Sequence, residues 1–274
     1  MGTSQSSRGP GGGVPMVPPW TPDLPPDPAA DGSPDDDGGD GTAPPPAAPP
    51  APTAPGTRFQ RAKLALGRFA QSGSRGDLRR ALGTYVSNGY GGSRMATRRA
   101  GGTVATAGVF GSTLAAIAAG GGPLDRAVLD ADPSVRAIIS AIVDAVRSVD
   151  GTLDAEAERA SIDSALSEVL NQYPDADLLL LDDEQRAFAV ERFVANDVYR
   201  RFELDLGKVI VDKAPNNITA SQRLKEAGDY VRQCVAASFQ KLRSAGRTLI
   251  GQDIVSIVSA AIEATYHVFE EYLQ

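Results

Sequence analysis

Few residues in this 274-residue chain are of types that commonly do chemistry. It has one cysteine, Cys234, and one histidine, His267. A single cysteine excludes an internal disulfide and a cysteine-based zinc site, and a single histidine excludes a multi-histidine metal centre. Cys234 lies on the apolar face of a predicted helix, where we expect a buried structural thiol. His267 lies on the last predicted helix, where a surface or packing role is favoured over catalysis.

Two acidic clusters could bind a divalent cation through carboxylate oxygens: Asp175 with Asp177, and residues 182–184. Both lack the glycine-containing loop and the terminal glutamate of an EF-hand, so helix capping and a solvated turn are the favoured interpretation. The glycine-rich stretches 89–92 and 120–122 lack the Lys-Ser/Thr pair of a phosphate-binding loop. We therefore predict no catalytic residue, no metal site and no cofactor, and expect the chain not to be an enzyme.

The residue with the clearest chemical potential is Gly2. Removal of Met1 is expected before a small residue, and it would leave the α-amine of Gly2 at the end of the chain. An unperturbed α-amine has a pKa of about 8, so part of it is neutral near pH 7 and can react. The start Met-Gly-x-x-x-Ser, with Ser6, also fits the N-myristoylation pattern, but no polybasic segment follows to give stable anchoring. An unmodified terminus is the simplest alternative.

Residues 1–57 are predicted to form a long disordered Pro/Gly-rich tail. They hold 16 of the 20 prolines, 10 of the 29 glycines, seven aspartates and a single basic residue, Arg8. This composition offers too little apolar surface to offset the entropy of ordering the chain. The prolines after residue 43 favour an extended polyproline II conformation, which is a semi-rigid spacer.

Segment 1–20 of the tail differs in composition, because it contains the only tryptophan, Trp20, among prolines. Tryptophan and proline offer apolar area at low entropic cost, so this segment could dock into a groove of a partner. Attachment of the tail to the body of the same chain is an equally good interpretation. The residues predicted to bind a partner are Thr3, Ser4, Pro15, Pro18, Pro19 and Trp20.

The net charge of −7 is unevenly distributed: residues 1–57 carry −6, residues 58–122 carry +9 and residues 123–274 carry −10. The cationic part could pair with the acidic part of the same chain, bind an acidic partner protein, or bind nucleic acid by releasing counterions from phosphates. Internal pairing is the economical interpretation, and nucleic acid ranks last. The predicted basic patch consists of Arg58, Arg61, Lys63, Arg68, Arg79, Arg80, Arg94, Arg98 and Arg99.

Apolar residues recur at helical spacing from residue 58 onward. We predict helices over 59–73, 78–86, 93–119, 134–149, 154–173, 183–202, 220–244 and 252–272. Asp182 with Gln185, and Thr219 with Gln222, are predicted capping boxes. The short apolar runs 178–181 and 208–211 could be strands but lack partners of period two. The predicted fold is all-α: a disordered tail, a basic helical segment over 58–122 and an acidic α-helical domain over 123–274.

No segment fits a membrane span or a secretory signal. The longest weakly polar stretch, residues 104–119, is shorter than the roughly 20 apolar residues that a spanning helix needs. The N-terminus lacks a basic region followed by an apolar core. We expect no membrane association and a cytoplasmic location.

Five segments together carry a resemblance to a known family. They are the opening 1–11, the Val-Pro-x-Val-Pro-Pro-Trp element at 14–20, Leu-Ala-Leu-Gly-Arg-Phe at 64–69, Asp-Leu-Arg-Arg-Ala-Leu at 77–82, and Val-Tyr-Arg-Arg-Phe-Glu-Leu-Asp-Leu-Gly-Lys at 198–208. The chain resembles the QatB family of the bacterial Qat anti-phage system over nearly its whole length apart from the low-complexity linker.

This resemblance implies an operon setting rather than a reaction. Similar proteins accompany an ATPase (QatA), a QueC-like enzyme (QatC) and a TatD-like nuclease (QatD). QueC makes a nitrile-bearing 7-deazaguanine from a carboxylated precursor, and a QueC-like enzyme could instead join that carboxylate to a protein amine. We therefore expect the chain to be a substrate and adaptor whose Gly2 amine is modified. The alternative is a scaffold subunit that binds the ATPase or nucleic acid through its basic segment, residues 58–99.

Overall fold

The helical spacing of apolar residues is matched by the observed secondary structure. The computed structural model describes residues 58–124, 134–247, 249 and 253–273. Of these residues 81% are helical and none lies in a strand, which confirms the all-α prediction. The predicted tail lies outside the described residues, and so do Gly2 and the docking residues Thr3, Ser4, Pro15, Pro18, Pro19 and Trp20.

The described residues contain nine α-helices and one π-helix. In chain order they are α1 (Gln60–Ser72), α2 (Arg75–Thr84), the π-helix (Tyr85–Tyr90), α3 (Ser93–Arg99), α4 (Gly101–Ala118), α5 (Val135–Val146), α6 (Leu153–Gln172), α7 (Asp183–Lys213), α8 (Asn217–Ser244) and α9 (Ile254–Glu271).

Local capping chemistry sets several of these boundaries. Gly73 ends α1 in a left-handed conformation with φ of 70°, and its N–H donates to the carbonyl oxygen of Phe69 at 2.7 Å. The predicted capping box at the start of α7 is confirmed. The Gln185 N–H donates to Asp182 Oδ1 at 2.8 Å, and the Asp182 N–H donates to Gln185 Oε1 at 3.1 Å. Two backbone N–H groups at this helix end are thereby satisfied.

The predicted cap at Thr219 is wrong. Asn216 caps α8, because its side-chain Oδ1 accepts a hydrogen bond from the Thr219 N–H at 2.8 Å. Asparagine is as good an N-cap as threonine, and here it begins the helix one turn earlier. Helix α2 begins at Arg75, before its predicted start at residue 78, with Ser74 at the N-cap position and Asp77 in the first turn.

Three further predicted elements differ from the observed ones. The helix predicted over 93–119 is divided at Ala100 into α3 and α4. Helix α7 continues to Lys213, beyond the predicted end at residue 202, and so includes the run 208–211. The run 178–181 forms a turn and bend between α6 and α7. Neither short apolar run is a strand, because packing against neighbouring helices decides their conformation.

The longest helix, α7, lies at the centre of the packing and contacts α1, α4, α6 and α8. Helix α9 contacts α2, α3, α4 and α8. Both charge segments supply buried aromatic residues to one hydrophobic core: Phe69 and Phe110 from the basic segment, and Phe193, Phe239 and Phe269 from the acidic one. The change of charge at residue 122 therefore does not divide the hydrophobic core.

Helix α4 is the one helix in the described part of the chain that could cross a membrane by length and composition, with 18 residues and a mean hydropathy of 1.3. The predicted apolar stretch was shorter because it began at Val104. Half of α4 is buried, and the Phe110 ring lies 5.8 Å from the Phe193 ring of α7. A core helix meets the same criteria, so this is weak evidence for a membrane span.

Gly83 allows α2 and α9 to approach closely. A Cβ atom at Gly83 would lie 2.8 Å from Leu273 Cγ and 2.9 Å from the backbone oxygen of Phe269. A backbone atom cannot move aside as a flexible side chain can, so this position excludes any larger residue.

We expect Gly83→Ala to lower the free energy of unfolding by about 1–3 kcal/mol, because overpacking outweighs the gain in helix propensity. The matched control is Gly101→Ala, since a Cβ there meets nothing within 4 Å. That change should leave stability unchanged or raise it by up to about 1 kcal/mol. Urea unfolding of both variants tests this, and equal stability of the two would contradict the close approach.

Candidate functional site

One face of α7 carries three ionisable residues at intervals of four: Asp197, Arg201 and Asp205. Residues four apart lie above one another on a helix, so these side chains form a row, here called the polar stripe. Asp197 is fully buried, and only 17% of the Arg201 side chain is exposed. Ionisable groups at such depth require partners, and each of the three has them.

Asp205 joins α7 to the π-helix. Its Oδ2 accepts hydrogen bonds from the hydroxyls of Tyr85 and Tyr90, both at 2.8 Å. The two tyrosine rings pack edge to face with centroids 5.0 Å apart, and Phe59 stacks on Tyr85 at 5.3 Å. The unusual π-helical turn places both hydroxyls on one carboxylate.

Arg58 belongs to this aromatic group. Its Nε donates to the Gly89 carbonyl oxygen at 2.5 Å. Its guanidinium lies 4.6 Å from the Phe59 ring centre and 4.5 Å from that of Tyr90, within the range of cation–π attraction. Arg58, predicted as part of the basic patch, therefore stabilises the start of α1.

Asp197 and Arg201 connect α7 to α4 and α6. Asp197 Oδ2 accepts from Arg201 Nε at 3.0 Å and from the Thr103 hydroxyl at 2.6 Å. Arg201 Nη2 also lies 3.3 Å from Glu158 Oε1, and the Thr106 hydroxyl donates to Glu158 Oε2 at 3.0 Å. This network is a buried ionic link between three helices.

Burial shifts the pKa of three groups that contact the polar stripe. It raises the pKa of the Glu158 carboxyl, although the Thr106 hydrogen bond and nearby arginines oppose the shift. It also raises the pKa of Tyr85, and that of Tyr90 to about 12. Both tyrosines therefore stay protonated at neutral pH and donate to Asp205. These contacts indicate that the polar stripe holds helices together.

Four residues of the predicted basic patch contact a carboxylate, hydroxyl or carbonyl oxygen within the described residues. Besides Arg58, the Arg68 guanidinium lies 3.3 Å from Asp77, and Arg79 Nε donates to the Tyr230 hydroxyl at 2.9 Å. Arg94 lies 4.0 Å from Glu263 and is largely exposed. Of the nine patch residues, Arg94 alone forms an ion pair with a described acidic residue beyond residue 122.

Five residues of the patch are exposed and have no ion pair with any described residue. Arg75, which is not part of the predicted patch, is a sixth. The predicted start of α2 at residue 78 left Arg75 outside it, and the signal that could have identified it is the preceding Ser74, a residue type that favours the N-cap position. These six residues, here called the unpaired cations, are Arg61, Lys63, Arg75, Arg80, Arg98 and Arg99. Helices α1, α2 and α3 each carry two of them.

A groove of about 650 Å³ lies between the start of α3 and α9. Gly91 and Gly92, both with positive φ, form one wall, and Glu263, His267 and Glu270 line the other. The side chain of His267 is 62% exposed and lies 3.4 Å from Glu271, as expected for a surface histidine.

The other candidate chemical groups have ordinary surroundings. Cys234 Sγ lies 3.8 Å from the Tyr272 hydroxyl, and burial raises the pKa of the thiol, which disfavours the reactive thiolate. Asp177 Oδ1 accepts from the Leu179 N–H at 2.9 Å in a turn, and Asp182 caps α7. The described part of the chain contains no group of three metal-ligating side chains.

We expect Asp197→Ala to lower the free energy of unfolding by about 3 kcal/mol, because it leaves Arg201 largely buried without its closest carboxylate. The control is Asp154→Ala, since Asp154 is 68% exposed and lies 3.9 Å from Arg201. That control should cost less than about 1 kcal/mol. Urea unfolding measures both, and similar losses would show that the buried pair is not the stabilising contact.

The hydroxyl of Tyr90 should make the fold sensitive to alkali. An unfolded tyrosine ionises near pH 10, whereas burial holds the pKa of Tyr90 at about 12. Between these values the unfolded state binds fewer protons, so the free energy of unfolding falls as pH rises. Tyr90→Phe should reduce the total fall in the free energy of unfolding by about 2 kcal/mol. Urea unfolding at a series of pH values from 9 to 12 measures this. An unchanged slope would contradict the shift.

Comparison with known proteins assigns the chain to a family. The model of QatB, the Qat anti-phage system associated protein, matches residues 91–269, which is more than half of the chain. No curated protein and no solved structure matches it. The matched range includes α3 to α8, the whole polar stripe and most of α9. The chain belongs to the QatB family and is a component of the Qat anti-phage defence system.

Proposed function

We propose that this QatB-family chain is a non-enzymatic substrate and adaptor of the defence system, modified at the α-amine of Gly2. The observation that carries the proposal is the family match over residues 91–269, which makes the chain a Qat-system component. The polar stripe supports the non-enzymatic part of the proposal, because its residues form contacts between helices. The Met-Gly start supplies a reactive primary amine once Met1 is removed.

The modifying partner is a QueC-like enzyme, QatC, acting on a carboxylated 7-deazaguanine. The carboxylate condenses with the Gly2 amine to form an amide with net loss of one water, and ATP supplies the driving force. Trp20 and the neighbouring prolines, with Thr3 and Ser4, present this terminus to the enzyme. The ATPase QatA and the TatD-like nuclease QatD are the other partners of this cytoplasmic adaptor.

Intact-mass measurement tests the modification. Co-expression with QatC should add the mass of the deazaguanine acyl group to the N-terminal peptide. Gly2→Leu should abolish the shift, because a large second residue prevents removal of Met1, whereas the matched change Gly9→Leu should preserve it. An unshifted peptide from the native chain, or a shift that survives in Gly2→Leu, would falsify the proposal.

A second candidate function is a scaffold that binds the ATPase or nucleic acid through segment 58–99. The observation in its favour is the set of unpaired cations on α1 to α3. Deleting residues 2–20 separates the two functions in a phage plaque assay with the whole Qat system. The substrate function predicts loss of protection, whereas the scaffold function predicts that protection is retained.

A further inference from the structure

Another pocket, of about 400 Å³, lies between α5, α6 and α7. Its volume is within the range of about 300–1,000 Å³ that is usual for small-molecule sites. Arg136 of α5, Arg159 of α6 and Arg200 of α7 all line it, and the hydroxyl-bearing residues Ser140 and Ser164 lie beside them. Three helices thus bring three guanidinium groups to one cavity, in a part of the chain, residues 123–274, whose net charge is −10.

Arg200 has the fewest protein contacts of these three arginines. Among the described residues it is the one arginine of α5, α6 and α7 that has no ion pair. The other arginines of these helices each have one: Arg136, Arg159, Arg186, Arg192 and Arg201. The hydrogen bond from Arg200 Nη2 to Ser164 Oγ is long, at 3.4 Å. A guanidinium carries five N–H donors, so Arg200 presents unused donors and an unbalanced charge to the pocket.

The other two arginines can add donors without losing their present partners. Arg159 is only 17% exposed and is fixed in place, because it donates to the carbonyl oxygen of Arg147 and to Asp144. Arg136 is 79% exposed and lies 3.2 Å from Asp163. Each guanidinium keeps further N–H groups beyond those used in these contacts. The pocket therefore has the donors that an anion requires, on a partly fixed framework.

Two carboxylates also line the pocket, and they narrow the class of ligand. Asp163 is paired with Arg136, whereas Glu156 is exposed and has no ion pair with any described residue. A carboxylate repels a bare inorganic anion but accepts hydrogen bonds from hydroxyl groups. A ligand that satisfies both features has an anionic group at the arginines and hydroxyl groups at Glu156. Acidic side chains bind ribose hydroxyls in this way in dinucleotide-binding folds.

We infer that the pocket between α5, α6 and α7 binds a sugar phosphate, either free or as part of a nucleoside monophosphate. The phosphate group accepts hydrogen bonds from the three arginines and from the two serine hydroxyls. The planar fork of arginine donors matches the geometry of phosphate oxygens. Glu156 accepts hydrogen bonds from the sugar hydroxyls. This binding is independent of any modification of Gly2.

Isothermal titration calorimetry of the full chain tests the inference with four probes: AMP, ribose 5-phosphate, inorganic phosphate and adenosine. We expect AMP and ribose 5-phosphate to bind with Kd values below about 1 mM. Inorganic phosphate should bind at least threefold more weakly than ribose 5-phosphate, and adenosine at least tenfold more weakly than AMP. Tighter binding of AMP than of ribose 5-phosphate identifies a nucleotide as the ligand, and equal binding identifies a free sugar phosphate.

Arg200→Gln should weaken AMP binding at least tenfold, because it removes the cation that has no ion pair within the described residues. Arg200→Lys should restore part of the loss, since lysine keeps the charge but not the planar fork. The matched control is Arg98→Gln, which removes an exposed cation of α3 that does not line the pocket and should leave the affinity unchanged. Circular dichroism checks that each variant is folded. Arg136→Gln, at a more exposed position, should weaken AMP binding at least threefold.

Glu156→Gln separates recognition of the sugar from recognition of the phosphate. An amide oxygen accepts a weaker hydrogen bond than a carboxylate does, so the affinity for ribose 5-phosphate should fall at least threefold relative to that for inorganic phosphate. Removal of a negative charge beside the arginines should leave the affinity for inorganic phosphate equal or higher. An unchanged ratio of the two affinities would contradict the contact between Glu156 and the sugar.

Three other outcomes overturn the inference. Adenosine that binds as tightly as AMP would show that the phosphate group is not recognised. Equal losses in Arg200→Gln and Arg98→Gln would place AMP binding outside this pocket. Absence of binding by both phosphate esters at about 1 mM would leave the three arginines with only structural contacts. Modification of Gly2 is read separately by intact mass, so the failure of one proposal is distinguishable from the failure of the other.

Discussion

The buried ion pair between Asp197 and Arg201 is the interaction on which the arrangement of α4, α6 and α7 depends. An ionised carboxylate that is fully buried is tolerated only with charged and hydrogen-bonding partners, and Arg201 and the Thr103 hydroxyl supply them. Because Thr103 is on α4 and the neighbouring Glu158 is on α6, satisfying this charge requires both helices in register with α7.

The same face of α7 extends this role to the first helices. Asp205 accepts from Tyr85 and Tyr90, and the π-helix places both hydroxyls within 2.8 Å of it. Arg58 lies against Tyr90 and fixes the start of α1. The positions of α1 to α3, and hence of the unpaired cations, therefore depend on a carboxylate that lies more than 100 residues later in the chain.

Charge is used in two different ways in this protein. In the core, the polar stripe pairs opposite charges and holds helices together. On the outside of α1 to α3, six cations have no ion pair with any described residue. A component of a defence system acts through its contacts with other components, and uncompensated surface charge speeds and orients such contacts. The net charge of −7 does not indicate this surface, because the acidic segments outweigh its positive charge.

The amino-acid sequence by itself determined the all-α fold, most helix positions and the capping box at Asp182, because periodicity and capping are local properties. It also located the charge segments, since counting requires no geometry. It could not show that Asn216 instead of Thr219 caps α8. Nor could it show that Arg58 has hydrogen-bond and cation–π partners whereas Arg75 has no ion pair with a described residue. Nor could it reveal that Asp197 and Asp205 are structural. Only the tertiary structure decided these points, because which charges are paired depends on contacts between residues far apart in sequence.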